Sequence, residues 1–117
     1  MVLDEAVLHR LIGTRKTMYD QLLVLADTSC RSNITVQIVP TKIGAHAGLL
    51  GAFIVAGFDN APGTVYMESP DQGQTTELPS VVRRLSLTFD TLRADALPRG
   101  ASRDLIGKVA EERWATP

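Results

Sequence analysis

The stretch Pro40-Thr-Lys-Ile-Gly-Ala-His-Ala-Gly-Leu-Leu-Gly-Ala-Phe53 constrains the fold of this chain more than any other. It sets glycines at 44, 48 and 51 and a histidine at 46 between two apolar runs, Ile34-Thr-Val-Gln-Ile-Val39 and Ala52-Phe-Ile-Val-Ala-Gly-Phe58. Glycine loses more conformational freedom on ordering than any other residue. So dense a cluster marks a backbone that turns sharply or comes close to something. The residue types leave two readings open: a tight connection between core strands, or a loop shaped to receive a ligand or partner.

The flanking pattern predicts the elements. Val2 and Leu3 end a strand, and Asp4 caps a short helical turn over 5–11 that Gly13 breaks. Thr14 then caps a helix over 15–29, whose Met18, Leu22, Leu25 and Ala26 share one face widened by Tyr19 and Leu23. Residues 34–39 alternate, with Ile34, Val36 and Ile38 pointing one way, and Pro40 ends the strand because it cannot donate to a ladder. The run 52–58 is apolar on both parities, which predicts a central strand covered on both faces. Strand 64–68 is its hairpin partner across the turn Asp59-Asn-Ala-Pro-Gly63, and the polar loop 69–77 has room for a short edge strand. Pro79 opens a helix over 79–97 with Val81, Val82, Leu85, Phe89, Leu92 and Ala96 facing inward. A last helix takes Ser102 as its N-cap and buries Leu105, Ile106, Val109, Ala110 and Trp114. The expected order is (β)-α-α-β-β-β-α-α. It gives an α+β fold in which a small antiparallel sheet of three to four strands, the three adjacent strands forming a meander, packs with flanking helices.

Composition narrows the function. The 117 residues make one domain, 1–117, with 44% hydrophobic and 21% charged residues, the balance of an ordinary globular domain. Twelve Lys and Arg against thirteen Asp and Glu leave a net charge of −1, without the basic excess of a nucleic-acid-binding face. One Trp, two Tyr and three Phe are too few for a base-stacking platform. Cys30 is the single cysteine, so no intrachain disulfide and no cysteine metal cluster forms, in keeping with a reducing cytoplasm. No run of about 18 apolar residues predicts a membrane span, and residues 1–5 lack the basic start of a signal peptide.

The residues able to carry chemistry are sparse. His46 sits among glycines, yet nothing in the sequence supplies it with a nucleophile and an orienting carboxylate; it contacts a ligand or partner, or its ring caps a turn. Glu68 ends a strand two residues after Tyr66 and either contacts a ligand, pairs with Arg83 or Arg84, or is solvated. The Gly44–Gly48 spacing lacks the Lys-Ser/Thr ending of a phosphate loop. Neither catalytic nor metal-ligating residues, and no cofactor, are expected.

A resemblance adds to this reading. The segments 2–8, 33–40, 44–53, 64–68, 89–97 and 102–114, in this order, resemble the C-terminal domain, of uncharacterised function, of actinobacterial XRE-type helix-turn-helix regulators. These are antitoxin-like transcription factors, usually encoded beside a very small acidic protein. The family pattern Gly-x-His-x-Gly-x-x-Gly-x-Phe falls on Gly44, His46, Gly48, Gly51 and Phe53, and Val-Tyr-x-Glu on Val65, Tyr66 and Glu68. Where many relatives place Pro after the histidine, this chain has Ala47. The resemblance implies a cytoplasmic regulatory module that binds the small partner protein or a small-molecule signal. Its candidate contacts are Gly44, His46, Gly48, Gly51, Phe53, Tyr66 and Glu68. DNA would be read through an upstream helix-turn-helix absent from this chain. Two other expectations stand beside it. One is a small enzyme acting on an apolar metabolite with His46 or Glu68 as acid or base. The other is a module that makes its parent regulator a homodimer.

Overall fold

The computed structural model describes residues 1–115. Its elements run in the expected α+β order. They are β1 (Val2–Asp4), α1 (Ala6–His9), α2 (Arg15–Thr28), β2 (Gln37–Val39), β3 (Phe53–Ala56), β4 (Thr64–Met67), β5 (Gln74–Thr76), α3 (Pro79–Asp95) and α4 (Arg99–Val109). Two 3₁₀ turns, Thr41–Ile43 and Ala47–Leu50, lie in the glycine-rich stretch, and a π-helical turn, Ala110–Trp114, continues α4. The chain forms two compact units: Met1–Gly44 together with the segment from Asp95, and Ala45–Ala94.

The first unit holds the main apolar core. Helix α2 starts where the Thr14 hydroxyl accepts the Thr17 amide at 3.1 Å, which satisfies a helix-end donor that otherwise lacks a partner. Met18 and Leu22 on its inner face pack with Leu8, Val36, Ile38, Ile106, Val109, Ala110 and Trp114. Leu25, Ala26 and Tyr19 support this cluster. Leu23, expected to widen the buried face, is exposed instead, because it lies too far round the helix to reach the core. The far end of α2 is closed by two arginines of α4. Arg103 donates to the Ser29 carbonyl at 2.9 Å and hydroxyl at 3.0 Å, and Arg99 donates to the carbonyls of Ser29, Arg31 and Ile34.

Strand β2 is the main departure from expectation. It does not join the meander. It pairs in parallel with β1, Leu3 opposite Ile38, and α1 and α2 supply the long crossover a parallel pair requires. The other edge of β2 is covered by the segment leading into α4. The Leu97 amide donates to the Ile38 carbonyl at 2.8 Å. The Ile38 amide donates to the Ser102 hydroxyl at 3.0 Å, and that hydroxyl donates to the Leu97 carbonyl at 3.1 Å. Ser102 is therefore not the N-cap of α4. Pro98 holds that position, and Ser102 lies inside the helix, fully buried. The indole of Trp114 donates to the Leu8 carbonyl at 2.9 Å and fastens the C-terminal turn to α1.

The second unit carries an antiparallel sheet in the order β3-β4-β5, with helix α3. Val55 pairs with Val65 and Val65 with Thr76; Ile54 pairs with Tyr66 and Tyr66 with Thr75. Phe53, Val55, Val65 and Met67 thus share one face, on which Val65 is fully buried. Helix α3 runs close by: a Cβ on Gly63 would stand 3.1 Å from Val82 Cγ1. The expectation that 52–58 is central is overturned. Strand β4 is central, and β3 is an edge with Ile54 62% exposed and Phe58 58% exposed. The polar loop supplies the third strand, so apolar residues on both parities of β3 mark open apolar surface and not double burial.

Candidate functional site

The glycine-rich stretch owes its path to backbone states that side chains resist. Gly44 has φ of 78° and Gly51 φ of 154°, both in territory that L-residues rarely occupy. Gly44 is the last residue of the first unit, and His46, Gly48, Gly51, Phe53, Tyr66 and Glu68 belong to the second.

Within the second unit these residues fall into three places. His46 holds the N-cap position of the 3₁₀ turn Ala47–Leu50. Its carbonyl accepts the Leu49 amide at 3.1 Å, but its ring does not cap the turn, contrary to one of the two expectations for it. The ring lies against Gly48 instead: a Cβ there would stand 3.1 Å from His46 Nδ1 and 3.3 Å from Leu92 Cδ1. Glycine at 48 is what lets imidazole, turn and α3 come together.

The second place is the open face of the sheet. Tyr66 and Glu68 lie two residues apart and so project to the same side. The Tyr66 hydroxyl donates to the Glu68 carboxylate at 3.0 Å, so the carboxylate is partnered by a phenol and not by Arg83 or Arg84. That bond holds the Tyr66 pKa above its ordinary value, with desolvation and the charge of Glu68 adding to it. The phenol is therefore a neutral donor throughout the physiological range. The ring rests on Gly73, where any Cβ would overlap it. Gly73 is a contributor that sequence reasoning missed; only the folded hairpin brings it under Tyr66. Gly51 and Ala52 approach the same corner through the main chain, the Glu68 amide donating to the Ala52 carbonyl at 3.0 Å.

Phe53 occupies the third place. Its register with Met67 sets it on the half-buried face, opposite to that of Tyr66. The candidates therefore do not converge on one point. Tyr66, Glu68 and Gly51 come together, His46 and Gly48 pair beside Leu92, and Phe53 supports the sheet from behind.

The first unit holds an aromatic–ionic cluster that sequence reasoning also missed. Arg15 and Arg113 lie over the Trp114 ring at 5.9 and 5.0 Å from its centre. Tyr19 donates to Glu111 at 3.0 Å. With Thr14, Lys16 and Asp20, residues Arg15, Tyr19 and Trp114 line a shallow groove of about 600 Å³. Among the described residues, no group of three or more His, Cys, Asp or Glu is placed to hold a metal ion. Nor is any helix long and apolar enough to cross a membrane.

What the open sheet face offers is a neutral phenol and a carboxylate acceptor beside the exposed side chain of Ile54, in rows shared with Ala56, Thr64 and Thr75. Such a mixture of fixed polar groups and exposed apolar area suits recognition. In comparison with known proteins, residues 1–108 match the family model of a domain of unknown function, DUF5753. No curated protein and no solved structure matches the chain.

Proposed function

We propose, from the premise that this chain belongs to the DUF5753 family, that it is the regulatory domain of an actinobacterial, XRE-type, antitoxin-like transcription factor. It binds a small acidic protein encoded beside its parent, or a small-molecule signal, in the cytoplasm. DNA is read by an upstream helix-turn-helix and not by these residues, whose net charge is −1. The reading assigns the chain no catalysis.

The observation that carries the reading is the open face of the β3-β4-β5 sheet. There the Tyr66–Glu68 pair stands in the same sheet row as exposed Ile54. Exposed apolar surface around a few fixed polar groups is the make-up of a protein-binding patch. Aromatic residues such as Tyr66 are favoured at the centre of such patches, and the bond to Glu68 fixes the phenol in advance, which lowers the ordering cost of association. The resemblance of 64–68 to the regulators' Val-Tyr-x-Glu motif supports the same surface, and Gly51 of the glycine-rich motif reaches its corner through the main chain.

Isothermal calorimetry of the chain against the neighbouring small protein tests this reading. Binding that weakens about tenfold or more in Tyr66→Ala, with circular dichroism unchanged, is the expected result. Absence of heat with that protein and with fractionated cell metabolites refutes it.

A further inference from the structure

We propose that the outer edge of β3 pairs antiparallel with β3 of a second copy of this chain, about a two-fold axis through Ile54, so that two sheets become one. The inference goes beyond the regulatory reading and does not depend on it.

The edge is open in a specific way. The Ala52 carbonyl accepts the Glu68 amide from the β4 side. In an antiparallel ladder successive residues alternate in direction. Ile54 and Ala56 therefore turn their main-chain groups toward β4, and Phe53 and Val55 turn theirs away. Among the described residues no strand lies on that side of β3, and the N–H and C=O of Phe53 and Val55 have no hydrogen-bond partner. Edge strands are ordinarily protected by charge, proline or a bulge. The segment Leu50-Gly-Ala-Phe-Ile-Val-Ala-Gly-Phe58 has neither charge nor proline. The contrast with β2 is direct, since there the Leu97–Ser102 segment covers the edge.

The same segment identifies its occupant. Read from Ile54 outward, it is a palindrome of residue size. Phe53 mirrors Val55, Ala52 mirrors Ala56, Gly51 mirrors Gly57, and Leu50 mirrors Phe58. Antiparallel pairing about a two-fold axis sets each residue opposite its mirror position. With Ile54 opposite Ile54, Phe53 of one copy faces Val55 of the other, and the two exchange both main-chain bonds. This register satisfies every open group on both edges. Small residues then face small ones and large residues face large ones. Ile54 forms a non-hydrogen-bonded pair, the kind in which side chains come closest. Leu50, 94% exposed, ends the 3₁₀ turn just before the strand and Phe58, 58% exposed, follows it, so the two add apolar surface beyond the ends of the paired stretch. The lack of charge matters as well, because a charge near a two-fold axis would face its own like. With only four strand residues a side, the interface is a small one, so the dimer is weak and reversible.

Sedimentation velocity on the full chain, from about 5 to 500 µM, tests the proposal in this weak-interface range. The wild type should pass from 12.7 kDa toward twice that mass. Ile54→Lys and Ile54→Glu should each raise the dissociation constant at least about 100-fold by setting like charges together, and mixing the two should restore association. Because Ile54 is mostly exposed, both variants should keep the wild-type circular dichroism. Should either misfold, a second variant decides. Cys30→Ser/Ile54→Cys should oxidise to a covalent dimer and Cys30→Ser alone should not. A wild type that remains monomeric, charge variants that associate as the wild type does, or a Cys30→Ser/Ile54→Cys variant that fails to cross-link would each overturn the proposal. None of these readouts involves the partner or signal of the regulatory reading, so the two ideas fail separately.

Discussion

Replacing Ser102 by Ala should destabilise the first unit by about 1–2 kcal/mol. The Ser102 hydroxyl accepts the Ile38 amide and donates to the Leu97 carbonyl, and Ser102 and Ile38 are both fully buried. Without it, the Ile38 N–H has no replacement, and a buried donor left unpaired costs about 1–3 kcal/mol. The Leu97 carbonyl is less affected, because it also accepts from the Gln37 side-chain amide at 3.2 Å. Against this, Ala is the better helix former by roughly 0.5 kcal/mol. The lost hydrogen bond is the larger effect. Urea unfolding followed by fluorescence measures it. Trp114 is the chain's one tryptophan and lies in the core of the first unit, so the signal reports on that unit. A fall in Tm of roughly 6 °C should accompany the change. A variant within about 0.5 kcal/mol of wild type, the range of ordinary surface changes, would refute the assignment of Ser102 as the edge cover of β2.

Four further outcomes are expected. Gly44→Ala should lower stability by about 1 kcal/mol from backbone strain alone, since its φ is 78° and nothing lies within 4 Å of the added carbon. The same change at Gly107, inside α4 and equally uncrowded, should raise stability by up to about 1 kcal/mol; denaturant midpoints compare the two. The Glu5 carboxylate accepts the Thr41 amide at 2.9 Å, and that bond, opposed by desolvation and aided by His9, holds its pKa below the ordinary 4.5. A depressed folded pKa means that the stabilisation is present above pH 4.5 and is lost as pH falls through the folded value. Unfolding curves of wild type and Glu5→Gln should therefore converge on acidification, and parallel curves would contradict the bond. Spectrophotometric titration should show both tyrosines ionising above 10, Tyr19 against Glu111 and Tyr66 against Glu68, with Glu68→Gln moving one of them downward.

Much of the fold was legible wherever the signal is local. Thr14 as a cap, Pro79 at the start of α3 and the β3–β4 hairpin each rest on neighbouring residues alone. Pairing between distant segments was not legible. Nothing in residues 2–4 announces that Gln37–Val39 will lie beside them in parallel. The edge position of β3 was missed because periodicity records which residues are apolar and not which are covered. Ser102 was misread for a related reason. A serine near a helix start looks like a cap, and its actual partner is 64 residues away. In the candidate site, Tyr66 and Glu68 were legible together because alternate strand residues share a face. Gly73 beneath the ring was not, because only the folded hairpin brings it there.

The first unit is assembled from two stretches of chain, Met1–Gly44 and the segment beginning at Asp95, with fifty residues, 45–94, between them. On the ribosome this imposes a delay. Leu8, Met18, Leu22 and Ile38 leave the tunnel before Ile106, Val109 and Trp114 have been made. At about 5–20 residues per second the gap lasts roughly 3–10 s. For that interval the amino-terminal stretch has no lid for its greasy side and can only wait for the carboxy-terminal one.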